Sequence, residues 1–491
     1  MTASGNRSID RLSPAQLTGL ILPPALAGLM LVMPAPAGLS AQGWATAAVG
    51  MLMALWWMAA IVPLAVTALL PLALFPMIGI VDLDTVAGFY SDPLIFLFLG
   101  GFLLAKAMER CQLHRRLAFL AARSAGQGPR ILILSMMVTT AFLSMWVSNT
   151  ATAMVMIPIA QSLIATMRER GGAEQQASID SFGAALVLAI AYAATIGGMG
   201  TLIGTPPNAL FSGFMQNAYG ITISFAHWML IGVPIVLVLL PLAWLVLTHG
   251  MISRYRTDDL SQLTAGVSHA HVPGRMSREE RLVGLILALT ALAWISRPLI
   301  VDLWPSLPIS DAGIAMMAAI LLFVLPVRAP ERVFLLEWSD AQTIRWDVLI
   351  LFGGGLALAG AIHNSGLAEW IGGGLSAIQV LPTILQTLII MVAIVYLGEL
   401  ASNTAIAAVF LPIVGMTAAS LSQSPISLML PVALAASLGF MLPVATPPNA
   451  IAYGSGAITA RQMLRYGAVL DVITTPIVAA FALILGPLLF G

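Results

Sequence analysis

The sequence predicts an all-α, polytopic membrane protein, and three observations carry that reading. Of the 491 residues, 59% are apolar and only 9% are charged, against about 25% charged in an ordinary soluble domain. Mean hydropathy is +0.96, so most of the surface must face hydrocarbon. The apolar stretches run about 18–25 residues without two-residue alternation, which is the length of a spanning helix and not of a barrel strand. Helices satisfy their own backbone groups where no water can.

The elements follow in order. Residues 1–14 are polar, carry Arg7 and Arg11, and show no cleavage pattern after a short apolar core, so Leu17 to Met33 is expected as a retained first span. Further spans are expected at roughly 44–62, 64–80, 92–109, 182–203, 228–248, 281–301, 312–327, 346–362, 429–453 and 467–490, giving about eleven in all. The apolar stretches 131–167 and 380–420 are each interrupted by a polar tripeptide. They read as two re-entrant helix–turn–helix hairpins, each entering and leaving on one side.

Charge placement fixes the orientation. With the N-terminus in the cytoplasm, the clusters Lys106 to Arg130, Arg168 with Arg170, Arg254 to Arg281, Arg328 to Arg345 and Arg461 with Arg465 all fall inside. Only Arg297 falls outside, as the positive-inside rule requires. Gly491 then lies outside, and the expected location is a bacterial-type inner (plasma) membrane. The single cysteine, Cys111, excludes an intrachain disulfide and a cysteine metal cluster.

The two halves resemble each other. Asp92-Pro-Leu-Ile-Phe-Leu-Phe-Leu-Gly-Gly answers Asp347-Val-Leu-Ile-Leu-Phe-Gly-Gly-Gly. Ser148-Asn149-Thr150-Ala151 answers Ser402-Asn403-Thr404-Ala405, with Pro158 and Pro412 following at similar distances. Gly204-Thr-Pro-Pro-Asn-Ala209 answers Ala445-Thr-Pro-Pro-Asn-Ala450. An odd number of spans separates paired motifs, so the repeat is inverted. Inverted repeats with broken helices are a transporter architecture, with the site near the midplane. The expected division is a tail and first span over 1–40, one repeat over 41–248, a cytoplasmic linker over 249–280 and the second repeat over 281–491.

The motifs point to an anion and a cation. Serine, asparagine and threonine in succession are poor in a helix interior but good at its start. At a hairpin tip they offer hydroxyl and amide donors beside helix N-terminal N–H groups, which suits a carboxylate. In the Thr-Pro-Pro-Asn segments the prolines remove two backbone donors and break the helix. The upstream carbonyls then lack partners, and a dehydrated cation such as sodium can take them. Apart from Arg297, no Lys or Arg is expected inside the bundle, so anion charge would be offset by helix dipoles, amides and bound cations.

Other residues carry less. Glu399 falls inside the second hairpin, where an ionisable group either binds a proton or cation or orients the tip. Asp347 reads as a helix-start residue, and His227, His249 and His363 as residues near span ends. Cys111 to Arg123 reads as a basic amphipathic helix on the cytoplasmic surface. An intramembrane enzyme is disfavoured, because the sequence has no His-Glu-x-x-His, no Gly-x-Ser-x-Gly elbow and no facing aspartate pair.

These residues resemble the divalent anion/sodium symporter family, which includes bacterial dicarboxylate and mammalian citrate and sulfate carriers. The likeness runs from Trp56-Trp57 and Pro63 to Pro71 through the last span. It is most specific at Ser144-Met-Trp-Val-Ser-Asn-Thr-Ala-Thr152 and Gly439-Phe-Met-Leu-Pro-Val-Ala-Thr-Pro-Pro-Asn-Ala450. It implies a homodimer with a static scaffold and a mobile transport domain working as an elevator. It also implies one sodium near Ser144, Ser148, Asn149 and Gly204, and a second near Ala401, Asn403 and Ala445. The anion would contact Asn149, Thr150, Ser402, Asn403 and Thr404, with Thr205, Thr446 and Pro447 nearby. The expected function is import of a C4-dicarboxylate or citrate coupled to sodium. The alternatives are a sodium-independent dicarboxylate exchanger and a sulfate carrier. No cofactor and no nucleic-acid partner are implied. Two departures stand out. An acidic residue common after the paired tryptophans is replaced by Met58-Ala-Ala-Ile-Val, and the hydroxyl common at the position matching Ser144 is replaced by Gly398.

Overall fold

The computed structural model describes residues 13–122, 128–252, 274–328, 333–367, 370–371, 381–420 and 423–490. The N-terminal tail with Arg7 and Arg11, the linker arginines 254 and 256, Arg123, Arg332 and Gly491 lie outside the described residues.

The chain is helical apart from a short antiparallel ribbon, Pro326–Arg328 with Val333–Phe334. Helices α1 (Pro14–Val32) and α2 (Ala41–Ala59) pair as antiparallel neighbours. Each begins at a serine cap: Ser13 accepts from the Gln16 N–H and Ser40 from the Gly43 N–H. The segment expected as one span over 64–80 is divided into α3 (Leu64–Thr67) and α4 (Leu70–Ile78). There Pro71 begins the second piece and no helix runs through. A short α5 (Leu83–Phe89) leads into α6 (Pro93–Arg110), whose Asp92 cap accepts from the Leu94 N–H at 2.9 Å.

The amphipathic α7 (Leu113–Ala122) packs on α8 (Pro129–Ser144) and is tied to the rest of the protein by Arg116. Its guanidinium grips Glu280 at 2.8 and 3.0 Å. The first hairpin is α8 with α9 (Asn149–Arg170), and both arms lie against α10 (Gln176–Gly198). Nearly all of α10 is buried, as a helix apolar on every face must be. After a break, α11 (Pro206–Tyr219) completes the crossing, and α12 (Phe225–Leu247) follows.

In the second half, α13 (Arg278–Leu303) opens with a Ser277/Glu280 capping box. Helix α14 (Asp311–Val324) is 14 residues, or about 21 Å, short for a hydrocarbon core of about 30 Å. Its Asp311 pairs with Arg297 at 2.6 Å, which neutralises the one arginine expected on the far side. After α15 (Trp338–Ala341) comes α16 (Trp346–Asn364). The second hairpin is α17 (Thr383–Gly398) with α18 (Asn403–Ser420). A second broken crossing, α19 (Pro425–Ala435) and α20 (Pro447–Gly454), precedes the terminal α21 (Ala460–Phe490).

Length and hydropathy mark eight of the described helices as able to cross a membrane. One of them, Asn149–Arg170, is a hairpin arm. The remaining crossings expected from the sequence fall on the less apolar α2, the short α14 and the broken segments, so hydropathy alone undercounts them. Hairpins and broken helices pack as one body: α20 lies against α9 and α10, and α21 against α12, α17 and α19.

Candidate functional site

Both hairpins turn in the same number of residues, Ser144 to Asn149 and Gly398 to Asn403. Ser148 caps α9 and accepts from the Ala151 N–H at 3.2 Å. Ser402 occupies the matching place before α18, its carbonyl accepting from the Ile406 N–H at 2.9 Å. The prolines of the Thr-Pro-Pro-Asn segments do not interrupt a running helix. They occupy the first turn of α11 and α20, where a missing N–H costs nothing. The break lies upstream, over 199–205 and 436–446.

The asparagine after each proline pair braces that break. Asn208 Nδ2 donates to the carbonyls of Gly198 (3.1 Å) and Thr201 (2.8 Å). Asn449 Nδ2 donates to Gly439 (3.2 Å) and Leu442 (3.1 Å). The sequence reading expected those carbonyls to be left for a cation; instead these side chains take them.

The carbonyl of Gly204 has a different setting. The end of the Asn149 amide that faces Ser144 lies 2.6 Å from its Oγ, 3.2 Å from the Ala194 carbonyl and 3.3 Å from that of Gly204, and as Nδ2 it donates to all three. The Ser144 hydroxyl also reaches Ala194 O at 2.7 Å. A hydroxyl and two carbonyl oxygens thus converge on this one amide. Space there is tight, since a Cβ on Gly204 would collide with the Gly198 backbone. In the second half Asn403 Oδ1 is buried and accepts no hydrogen bond. A Cβ on Gly398 would sit 3.8 Å from both that oxygen and the Leu438 carbonyl.

Glu399 ties hairpin to break in the second half, as the Thr201 hydroxyl does in the first by donating to the Met145 carbonyl at 2.5 Å. Its Oε1 accepts from the Met441 N–H at 2.8 Å and its Oε2 from the Leu442 N–H at 2.7 Å. Glu399 is buried, and Asp471 of α21 lies beside it. These bonds orient the tip, one of the two roles open for Glu399 in the sequence.

The two tips and two half-helix starts meet at one cavity of about 680 Å³. Ser148, Asn149, Thr150, Gly204, Thr205, Ala401, Ser402, Asn403, Thr404, Ala445, Thr446 and Pro447 all line it. Ser144 does not; it is fully buried behind the first tip. The remaining wall comes from the end of α2 (Met58 to Ala60), from Phe98 and Phe102 of α6, and from Arg345 and Val348 at the start of α16. Arg345 corrects the expectation of a cavity without basic residues. It is bound through Nε and Nη2 to Asp347 at 2.9 and 2.8 Å. The charge rule placed it in a cytoplasmic cluster but could not show that it faces the cavity. Asn208, Asn449 and the 399–442 contact were likewise missed; the repeated Asn after Pro-Pro was the available signal for the first two.

The model of the sodium:sulfate symporter transmembrane region matches residues 14–491. The sodium-dependent dicarboxylate transporter SdcS of Staphylococcus saprophyticus is 40% identical over 483 residues, 97% of this chain and 92% of the relative. SdcS of Staphylococcus aureus strain USA300 is 40% identical over 486 residues, 98% of this chain and 93% of the relative. Among solved structures, the fold is similar to the YdaH transporter of Alcanivorax borkumensis (TM-score 0.52, 14% identity, 82% of this chain and 87% of that one). It is also similar to MtrF of Neisseria gonorrhoeae (TM-score 0.54, 13% identity, 96% of this chain and 94% of that one). The chain therefore belongs to the sodium:sulfate symporter family of multi-span membrane transporters.

Proposed function

We propose that the protein is a secondary active transporter that carries a small dicarboxylate into the cell with sodium. The observation that carries this reading is the meeting of both Ser-Asn-Thr tips and both half-helix starts at one cavity. The two tips together offer helix N-termini to one end of the substrate. One cation lies among Asn149, Ser144, Ser148 and Gly204, and the second beside Asn403, Ala401 and Ala445. The anion takes Asn149, Thr150, Ser402, Asn403 and Thr404, with Thr205, Thr446 and Pro447 beside them. Sodium charge and helix dipoles together offset the dianion, so loaded and empty sites differ little in net charge and both can move. The relatives named for sodium-dependent dicarboxylate transport support this choice over sulfate.

The halves 41–248 and 281–491 are inverted repeats joined through 249–280, with the N-terminus in the cytoplasm of a bacterial plasma membrane. Hairpins and broken helices form the mobile body of an elevator, and the protein works as a homodimer.

The test is uptake of labelled succinate into proteoliposomes, with and without an inward sodium gradient and with or without internal succinate. Uptake that requires external sodium, and is lost in Asn149→Ala and Asn403→Ala, supports the symporter. Gly398, which supplies no side-chain oxygen, favours one competing reading, a dicarboxylate exchanger. Uptake that ignores sodium but requires internal succinate would establish that instead.

A further inference from the structure

Among the described residues, Arg345 is the one charged side chain lining the cavity. We propose that Arg345 is the cytoplasmic-side docking group for the second carboxylate of the substrate, engaged only while the cavity opens inward. This rests on the transport reading above and deepens it.

The tips supply amides, hydroxyls and helix N-termini, and their own side chains carry no formal positive charge beside the bound sodium. A dicarboxylate whose one end sits there presents its other end to the wall formed by α2, α6 and the start of α16. Arg345 offers that wall a planar fork, the geometry that binds a carboxylate through two parallel hydrogen bonds. The fork already holds one, since Nε and Nη2 grip the two oxygens of Asp347. Both partners are about half exposed, 52% and 50%. An ion pair so exposed contributes little net stability, so exchanging Asp347 for a substrate carboxylate costs little. Asp347 then acts as a competitor that keeps the guanidinium from trapping the anion.

The repeat shows that this charge belongs to one side. Arg345 stands two residues before Asp347, and the residue two before the matching Asp92 is Tyr90. Tyr90 commits its hydroxyl to the Ala68 carbonyl. Asp92 is taken by the Asn217 amide at 2.8 Å and the Leu94 N–H at 2.9 Å. The other end of the molecule therefore has no counterpart of Arg345 at this position. In an elevator, a residue on the static wall touches the substrate in one state only, so Arg345 makes the two faces unequal.

The experiment measures half-saturation for labelled succinate in inside-out and right-side-out vesicles of wild type, Arg345→Gln and Asp347→Asn. Arg345→Gln is expected to raise the cytoplasmic-side value about fivefold, the upper end for a half-exposed ion pair, and to leave the external value unchanged. Asp347→Asn is expected to lower the cytoplasmic value by freeing the fork. Inhibition by butyrate, which has no second carboxylate, should not respond to Arg345→Gln. Equal shifts on both faces, or none, overturn the inference. If Arg345→Gln does not reach the membrane, an unchanged cytoplasmic value in Asp347→Asn overturns it alone. A wild type that moves no dicarboxylate in either orientation sinks the transport reading, and this inference with it.

Discussion

Asn208 and Asn449 perform the same operation in opposite halves of the protein. Each donates from Nδ2 to the carbonyls ten and seven residues upstream, Gly198 and Thr201 in one case and Gly439 and Leu442 in the other. Each also keeps a buried Oδ1 without a donor. A helix break at bilayer depth exposes carbonyls that only protein can satisfy. One amide bridging the break solves this twice, and it fixes where the next helix begins.

Removing that bridge should therefore cost transport before it costs the fold. Asn208→Ala or Asn449→Ala strips the Gly198 or Gly439 carbonyl of its amide partner, about 1–3 kcal/mol, and leaves Thr201 and Leu442 only the backbone N–H groups of Gly204 (3.4 Å) and Ala445 (3.2 Å). Succinate uptake is expected to fall at least about tenfold in each variant. Size-exclusion profiles in detergent should stay monodisperse, because the packed bodies around α10 and α21 do not depend on these bonds.

Gly398 gives the sharpest test of the second cation place. Its missing Cβ would meet Asn403 Oδ1 and Leu438 O at an ordinary 3.8 Å, so the Cβ of Gly398→Ser fits without displacing anything. The new hydroxyl would stand to Asn403 as Ser144 stands to Asn149. One added oxygen ligand contributes about 1 kcal/mol, and the sodium half-saturation of uptake should fall about fivefold. A sodium titration that does not move would exclude Gly398 as a neighbour of a bound cation.

Glu399 tests the tie between hairpin and break. Glu399→Ala leaves the Met441 and Leu442 N–H groups without acceptors, and bonds to a charged acceptor contribute about 1.5–3 kcal/mol each. A fall in uptake of about a hundredfold is expected, with sodium half-saturation raised in the residual activity. Glu399→Gln keeps one strong acceptor and should lie between the two. Equal activity in Gln and wild type would show that one bond suffices.

Much of this arrangement was legible because polar residues and prolines stand out in an apolar chain. Ser148 to Thr150 and Ser402 to Thr404 mark helix starts by capping chemistry alone, and their repetition marks them as paired. What stayed hidden depends on distance across the fold. Glu399 and Leu442 are 43 residues apart, and no periodicity joins them. Asp471 read as one residue of an apolar span. The charge rule assigns Arg345 only to a side of the membrane and says nothing of which way a helix start faces. The split at Leu69 escaped because a hydropathy window averages across so short a break.

The amphipathic helix α7 offers a control in which stability and transport should separate. Arg116 holds Glu280 at 2.8 and 3.0 Å and the Gly274 carbonyl at 2.7 Å, and Glu280 also accepts from the Ser277 N–H at 2.7 Å. These bonds join α7 to the start of α13, and none of the residues that make them lines the cavity. Arg116→Ala leaves a buried carboxylate with one backbone partner, and a stranded charge is costly. The midpoint of thermal unfolding in detergent should drop. Half-saturation for sodium and succinate should stay at wild-type values, since neither tip nor either half-helix start is touched. A shift in either value would mean that α7 moves with the cavity during transport and is not a fixed brace.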